Sequence, residues 1–255
     1  METNDILYEF RNLKISEINP NIFISNDKQE QEVCNFMLSL ALLYNDFKDL
    51  VWLSKNLISV KPKEPVEKNS YNGHYGGLVW HLERLYYSLM RELFKIICEN
   101  IESIKHEMFI ETERKLGKEV KTCWQSIIDI SNEVNSDNKS LDEESKLLKE
   151  IFMRIRNNLG YHFAPKEIMN GYKTFFKSEN GKAEESYISL GNSLSKRRFY
   201  FADAAVEGCF KNIVGKNHEM LSKTFQKVIE NVNDAIYEIV INFITVRKGC
   251  FRDVR

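Results

Sequence analysis

What the chain lacks bounds it first. Glycine (11) and proline (4) are scarce in its 255 residues, which argues against a turn-rich β-sandwich or barrel. The five cysteines (Cys34, Cys98, Cys123, Cys209, Cys250) are odd in number, far apart and free of any C-x-x-C pair. Structural zinc needs closely paired ligands and a disulfide framework needs an even count, so these read as reduced, mostly buried thiols. No metal and no cofactor is expected. Neither sign of charge dominates: the formal net charge is −1, so any nucleic-acid binding must come from local basic patches. The apolar run around Phe36 to Tyr44 is too short to span a bilayer. The start, Met1-Glu2-Thr3-Asn4-Asp5, is acidic and lacks the basic-then-apolar layout of a signal peptide. These features together predict a cytoplasmic protein with no membrane segment.

What is present is helical periodicity. Hydrophobic residues make up 43% and charged residues 29% of the chain, a globular balance with material for a real core. Val33, Phe36, Met37, Leu40, Leu43, Tyr44, Phe47, Leu50 and Val51 recur at three- and four-residue steps, which predicts a helix from about Asp27. Lys61-Pro62-Lys63-Glu64-Pro65 ends it. Residues 66–77 read as a loop, followed by one long helix carrying Leu78, Leu82, Leu85, Leu89, Leu93, Ile97, Ile101 and Ile104, stopping near Gly117. A further helix covers about Lys118 to Val134, with Trp124, Ile127 and Ile128 inward.

Ser140-Leu141-Asp142-Glu143 fits a capping box, opening a helix that buries Leu148, Phe152, Ile155 and Leu159. Gly160, expected in a left-handed position, and Pro165 beyond it are stop signals. Pro165 also suits the first turn of the next helix, through Tyr172 and Phe176. A short strand is predicted at Tyr187-Ile188-Ser189-Leu190, a helix from Phe201 to Gly215, and a last helix from about Asn217 to Arg247. The expected architecture is one all-α domain, 1–255, of about six or seven helices. It has an N-terminal arm (1–27) and a small irregular insertion (178–200).

Side chains suited to phosphate chemistry crowd together at one place, Ile155-Arg156-Asn157-Asn158-Leu159-Gly160-Tyr161-His162-Phe163. On an unbroken helix, Arg156 and His162 would point about 120° apart. A break at Gly160 would let His162 fold back towards Arg156. Near the negative end of a helix dipole, its protonated form is favoured. A histidine titrating near neutrality beside a fixed arginine suits proton transfer with charge stabilisation, and Asn157 could orient either group.

This arrangement, an arginine followed by a polar residue and then a histidine at a helix exit, resembles the R-x(4–6)-H motif of HEPN domains, over about Ser140 to Phe176. Many members of that family are metal-independent endoribonucleases of toxin–antitoxin, abortive-infection and CRISPR systems. The resemblance implies a HEPN-like helical bundle that forms a homodimer, so that two copies of the motif share one composite site. It implies catalytic Arg156 and His162 supporting attack of a ribose 2′-hydroxyl on the adjacent phosphate. It also implies a role for Asn157, RNA as the partner substrate, and an antitoxin or defence-system partner protein. Tyr161 and the basic–aromatic run Lys196, Arg197, Arg198, Phe199, Tyr200, Phe201 are candidate RNA contacts by stacking and phosphate pairing. The alternative is a non-catalytic helical interaction or regulatory module that keeps the motif for packing.

A rival site is His74-Tyr75-Gly76-Gly77-Leu78-Val79-Trp80-His81, which loosely resembles a segment of HD-type phosphohydrolases. Those proteins need a downstream His-Asp pair as metal ligands, and this chain has none. Two histidines without a carboxylate make a poor metal site, and a glycine loop leading into a helix accounts for the segment.

Overall fold

A computed structural model describes residues 16–59, 73–135, 143–160, 164–176, 186–249 and 252–253. The fold is all-α, as expected. Its helices are α1 (Lys28–Ser59), α2 (His74–Glu99), α3 (Ile101–Lys105), α4 (Glu107–Arg114) and α5 (Lys118–Asn135). They continue with α6 (Glu143–Ile155), α7 (Pro165–Phe176), α8 (Tyr200–Val214) and α9 (His218–Val246). The described strands make two short antiparallel ribbons, β1 (Ser16–Glu17) with β4 (Arg252–Asp253) and β2 (Ile188–Leu190) with β3 (Arg197–Phe199). No helix among the described residues is long and apolar enough to cross a membrane.

The chain gathers into two compact units, one of residues 1–48, 93–135 and 226–255, the other of 49–92 and 136–225. In the first, Val33, Phe36, Met37 and Leu40 of α1 are buried, as the three- and four-residue steps require. So are Trp124 and Ile127 of α5 and Ile236, Ile239 and Phe243 of α9. Phe109 bridges Phe36 and Trp124, with centroids 5.9 and 5.7 Å away. Each such ring or aliphatic side chain withdrawn from water contributes about 1.5–3 kcal/mol. Arg247 closes this unit by donating from Nε to Ile22 O at 3.1 Å and pairing with Glu30 at 3.4 Å.

The second unit is built on aromatic rings. Tyr87 of α2 meets Phe152 of α6 (5.7 Å), Phe210 of α8 (5.7 Å) and Phe225 of α9 (5.4 Å). Helices α7 and α8 cross at backbone contact, since a Cβ on Gly171 would collide with Ala205 O and one on Gly208 with Gly171 O. At that crossing the Cys209 thiol donates to Glu167 O at 2.9 Å, and burial pushes its pKa up to about 11. Cys34 is also buried, whereas Cys98 and Cys123 are partly exposed, and all four are free thiols.

Several boundaries differ from expectation for identifiable reasons. The long helix after Gly77 is broken into α2, α3 and α4. Asn100 turns its amide back onto Ile96 O at 2.8 Å, and His106 Nδ1 accepts from Met108 N at 3.3 Å as the cap of α4. Helix α2 starts at His74, inside the expected loop, because the left-handed turn falls on Gly73 (φ 67°). Gly76 and Gly77 then lie within its first turns. Its expected stripe is exposed only at the start, with Leu78 at 43%, and is buried from Leu89 through Leu93 to Ile97, where Met90 and Phe94 join it in the core. Pro165 opens α7, and Gly215 (φ 56°) ends α8, as the sequence indicates. Residues 188–199 of the irregular insertion form the β2–β3 hairpin, with a 3-10 turn at Leu194–Lys196 in its connection, and residues 178–185, like the capping serine Ser140, lie outside the described residues.

Candidate functional site

Helix α6 buries Leu148, Ile151, Phe152 and Ile155, all at 5% exposure or less, and the stripe continues to Leu159. From Arg156 to Gly160 the helix widens into a π turn, with hydrogen bonds spanning five residues rather than four. The expected left-handed break at Gly160 is therefore absent. Among the described glycines only Gly73 and Gly215 have positive φ. Glycine is needed here for closeness instead: a Cβ on Gly160 would strike Ser88 Oγ of α2. The turn is closed by Ala164 N donating to Asn158 O at 3.2 Å.

Helix α2 holds this turn through one stripe of residues. Gly77, His81, Arg84 and Ser88 are spaced four, three and four apart, so they share one face. Ser88 lies against Gly160. Arg84 Nη1 reaches Leu159 O at a long 3.5 Å, and its Nη2 lies 3.0 Å from His81 Nδ1. At the other end, the Arg198 guanidinium of β3 lies over Gly77, where any side chain would displace it. Arg198 forks onto Asp203 in the first turn of α8, at 2.6 Å from Nε and 3.1 Å from Nη2.

Electrostatics tie these groups together. Burial lowers the Arg84 pKa from its usual value, with Asp203 opposing and Arg198 adding to the effect. His81 is also pushed down, first by desolvation and then by the Arg84 and Arg198 guanidiniums. Its Nδ1 is thereby suited to accept a hydrogen bond from Arg84 rather than carry a proton. The result is two guanidiniums and one carboxylate along a single line of helix face, ending at the turn that starts with Arg156.

The residues expected from the sequence are distributed unevenly around this line. Arg156 is the first residue of the π turn and Asn157, the second, is exposed. Tyr161 and His162 lie outside the described residues. Lys196 and Arg197 are exposed on the hairpin, with Arg197 Nε donating to Gly191 O at 2.7 Å. Arg198 differs from its two neighbours, because its guanidinium is committed to Asp203 inside the fold.

Arg84, Ser88 and Asp203 were not singled out by sequence reasoning. Their signal is the repeat Gly77, His81, Arg84, Ser88, which a search for apolar stripes passes over because none of its members is apolar. Of the rival pair, His74 packs edge-on against Tyr200 with centroids 5.4 Å apart. Among the described residues no three His, Cys, Asp or Glu side chains gather closely enough to hold a metal ion. In comparisons with known proteins, the chain matches no protein-family model, no curated protein and no solved structure.

Proposed function

We propose that the chain is a metal-independent endoribonuclease of the HEPN type, with Arg156 and His162 catalytic and Asn157 orienting them. The observation that supports this is the pinned π turn: Arg156 begins it, and α2 fixes it through Ser88 against Gly160 and Arg84 towards Leu159 O. π turns recur at functional sites because the widened turn redirects side chains that a regular helix would keep apart.

In the reaction, the ribose 2′-oxygen attacks the adjacent phosphorus and the bond to the 5′-oxygen breaks. His162 relays the proton lost from the 2′-hydroxyl, which returns to the leaving 5′-oxygen. Arg156 stabilises the charge building on the phosphoryl oxygens. The products are a 2′,3′-cyclic phosphate and a 5′-hydroxyl. Two chains in a homodimer bring two copies of the motif to one composite site. Tyr161 offers a stacking surface, and Lys196 and Arg197 offer phosphate contacts. Arg198, tied to Asp203, positions the hairpin rather than RNA. The biological setting that fits is phage defence or a toxin held in check by a partner protein.

The test is cleavage of a labelled single-stranded RNA in excess EDTA. Wild type should leave a 2′,3′-cyclic phosphate end, and Arg156→Ala and His162→Ala should each lose about 100-fold or more in rate while remaining folded. Unchanged rates in both folded variants, or an absolute need for a divalent metal, would sink the assignment.

A second reading, a non-catalytic helical interaction or regulatory module, draws support from one specific observation. Arg84 and Arg198 both spend donors inside the fold, on Leu159 O and Asp203. The absence of any cleavage by the wild-type chain would favour it.

A further inference from the structure

A cavity of about 440 Å³ opens beside another flank of α2, within the range of roughly 300–1,000 Å³ usual for small-ligand sites. Tyr75, Trp80 and Tyr87 of α2 and Phe210 of α8 form its aromatic walls, and His218 at the start of α9 stands at its margin. Trp80 and Phe210 stack on each other at 5.1 Å and 28°, which leaves the wall rigid. Trp80 Nε1 also donates to the buried Glu207 carboxylate at 3.3 Å, while Lys211 Nζ pairs with the same carboxylate at 2.7 Å. Trp80, Phe210 and Lys211 are thus held by their own neighbours.

One group in this cavity is not so provided for. Glu83 lines it, one helical turn before Tyr87, and no hydrogen bond or ion pair to its carboxylate is seen among the described residues. Desolvation raises the Glu83 pKa, against a lowering pull from His218. A carboxylate withdrawn from water without hydrogen-bond donors is costly, and a ligand that brings donors relieves that cost.

We infer that this cavity binds a guanine base, stacked on the cavity's rings with its N1–H and N2–H donated to the Glu83 carboxylate. The choice of base follows from hydrogen-bond complementarity. An ionised carboxylate only accepts, and its two oxygens match two adjacent N–H donors on one edge. Guanine presents such a pair. Adenine and cytosine set an acceptor beside their amino donor, and uracil flanks its single donor with acceptors, so each would place a lone pair against Glu83. The aromatic walls supply stacking, which is worth about 1–3 kcal/mol per base. Lys211 and His218 complete the polar part of the lining. The inference does not use Arg156, and it holds whether or not the chain cleaves RNA.

The guanine can come from a free nucleotide or from an unstacked base in RNA, and the probes separate the two. Quenching of tryptophan fluorescence in the full-length protein is titrated with GMP, AMP, CMP and UMP. It is then titrated with a pentaribonucleotide carrying one central guanosine and with its adenosine counterpart. GMP should bind at least about tenfold more tightly than the other mononucleotides. Binding of the guanosine pentamer without GMP would assign the site to RNA, and either result supports the pocket. Glu83→Gln should cut guanine binding by about tenfold or more. Equal binding of AMP and GMP, no saturable binding of either guanine probe, or unchanged binding in folded Glu83→Gln would overturn the inference. The wild-type comparison needs no variant, so it decides even if Glu83→Gln misfolds.

Discussion

Two faces of the N-terminal half of α2 use polar groups in opposite ways. The stripe Gly77, His81, Arg84, Ser88 spends its polarity inward, on the π turn and on the Arg198–Asp203 hairpin lock. The stripe Val79, Trp80, Glu83, Tyr87, about a third of a turn round the helix, lines a cavity. On the first face, small residues bring backbone and guanidiniums into close contact, and shape decides what fits. On the second, large rings hold space open around a carboxylate, and chemistry decides what fits. One helix therefore offers a rigid support on one side and a receptive surface on the other.

Substitutions that break one face should leave the other readable. The largest expected effect is Trp80→Ala, which removes the Phe210 stack and the bond to Glu207. Trp80 is only partly buried, so the loss falls near the low end for such truncations, about 3 kcal/mol by urea denaturation. RNA cleavage per folded molecule should be retained. A variant that stays folded yet loses cleavage would show that the two faces are not separable.

Gly160→Ala comes next, because the new methyl meets Ser88 Oγ. It should cost about 1–3 kcal/mol and reduce cleavage, since the turn must shift. Among the described residues Ser88 Oγ is buried without a hydrogen-bond partner. Ser88→Ala should therefore be close to neutral alone and should restore most of the stability in combination. Additive losses in the double variant would mean that the two residues do not share the contact.

The smallest effect concerns pH. Burial raises the folded-state pKa of Glu83 above its ordinary 4.5. Between the unfolded and folded values the native state holds more proton than the unfolded chain, so this group subtracts stability as pH rises through that window. Glu83→Gln should flatten that part of the stability–pH curve and be more stable than wild type at neutral pH. Wild-type and Glu83→Gln curves that stay parallel from pH 4 to 8 would contradict the environment assigned to Glu83.

How much of this could be read from residues alone depends on whether the cause was local. The buried stripe of α6 from Leu148 to Leu159 was legible, because each member sits three or four residues from the last and each is apolar. The start of α7 at Pro165 and the end of α8 at Gly215 were legible too, since proline and a left-handed glycine act through their own backbone. The π turn was not. Gly160 looked like a helix stop, yet what shapes the chain there is Ser88, 72 positions away by subtraction, and no local pattern announces a neighbour. The break at Asn100 failed for a subtler reason. Apolar spacing runs through it at Ile97, Ile101 and Ile104, and only the side-chain bond back to Ile96 O betrays the interruption. At the candidate site, Arg156 was visible as an arginine near a histidine. The stripe that supports its turn had no hydrophobic signature to follow.

The π turn at Arg156–Gly160 also makes this segment sensitive to length as well as to composition. A π turn holds one residue more than the α turn it replaces, so it acts as a register offset between the repeat of α6 and whatever follows. Removing a single residue from within it would let the helix close into ordinary α geometry. Every later position would then rotate by about 100° relative to the α6 core. Side chains could all be kept while the direction in which the chain leaves α6 was lost. For this stretch, spacing is itself information, and a one-residue deletion is a larger perturbation than most substitutions of the residues it contains.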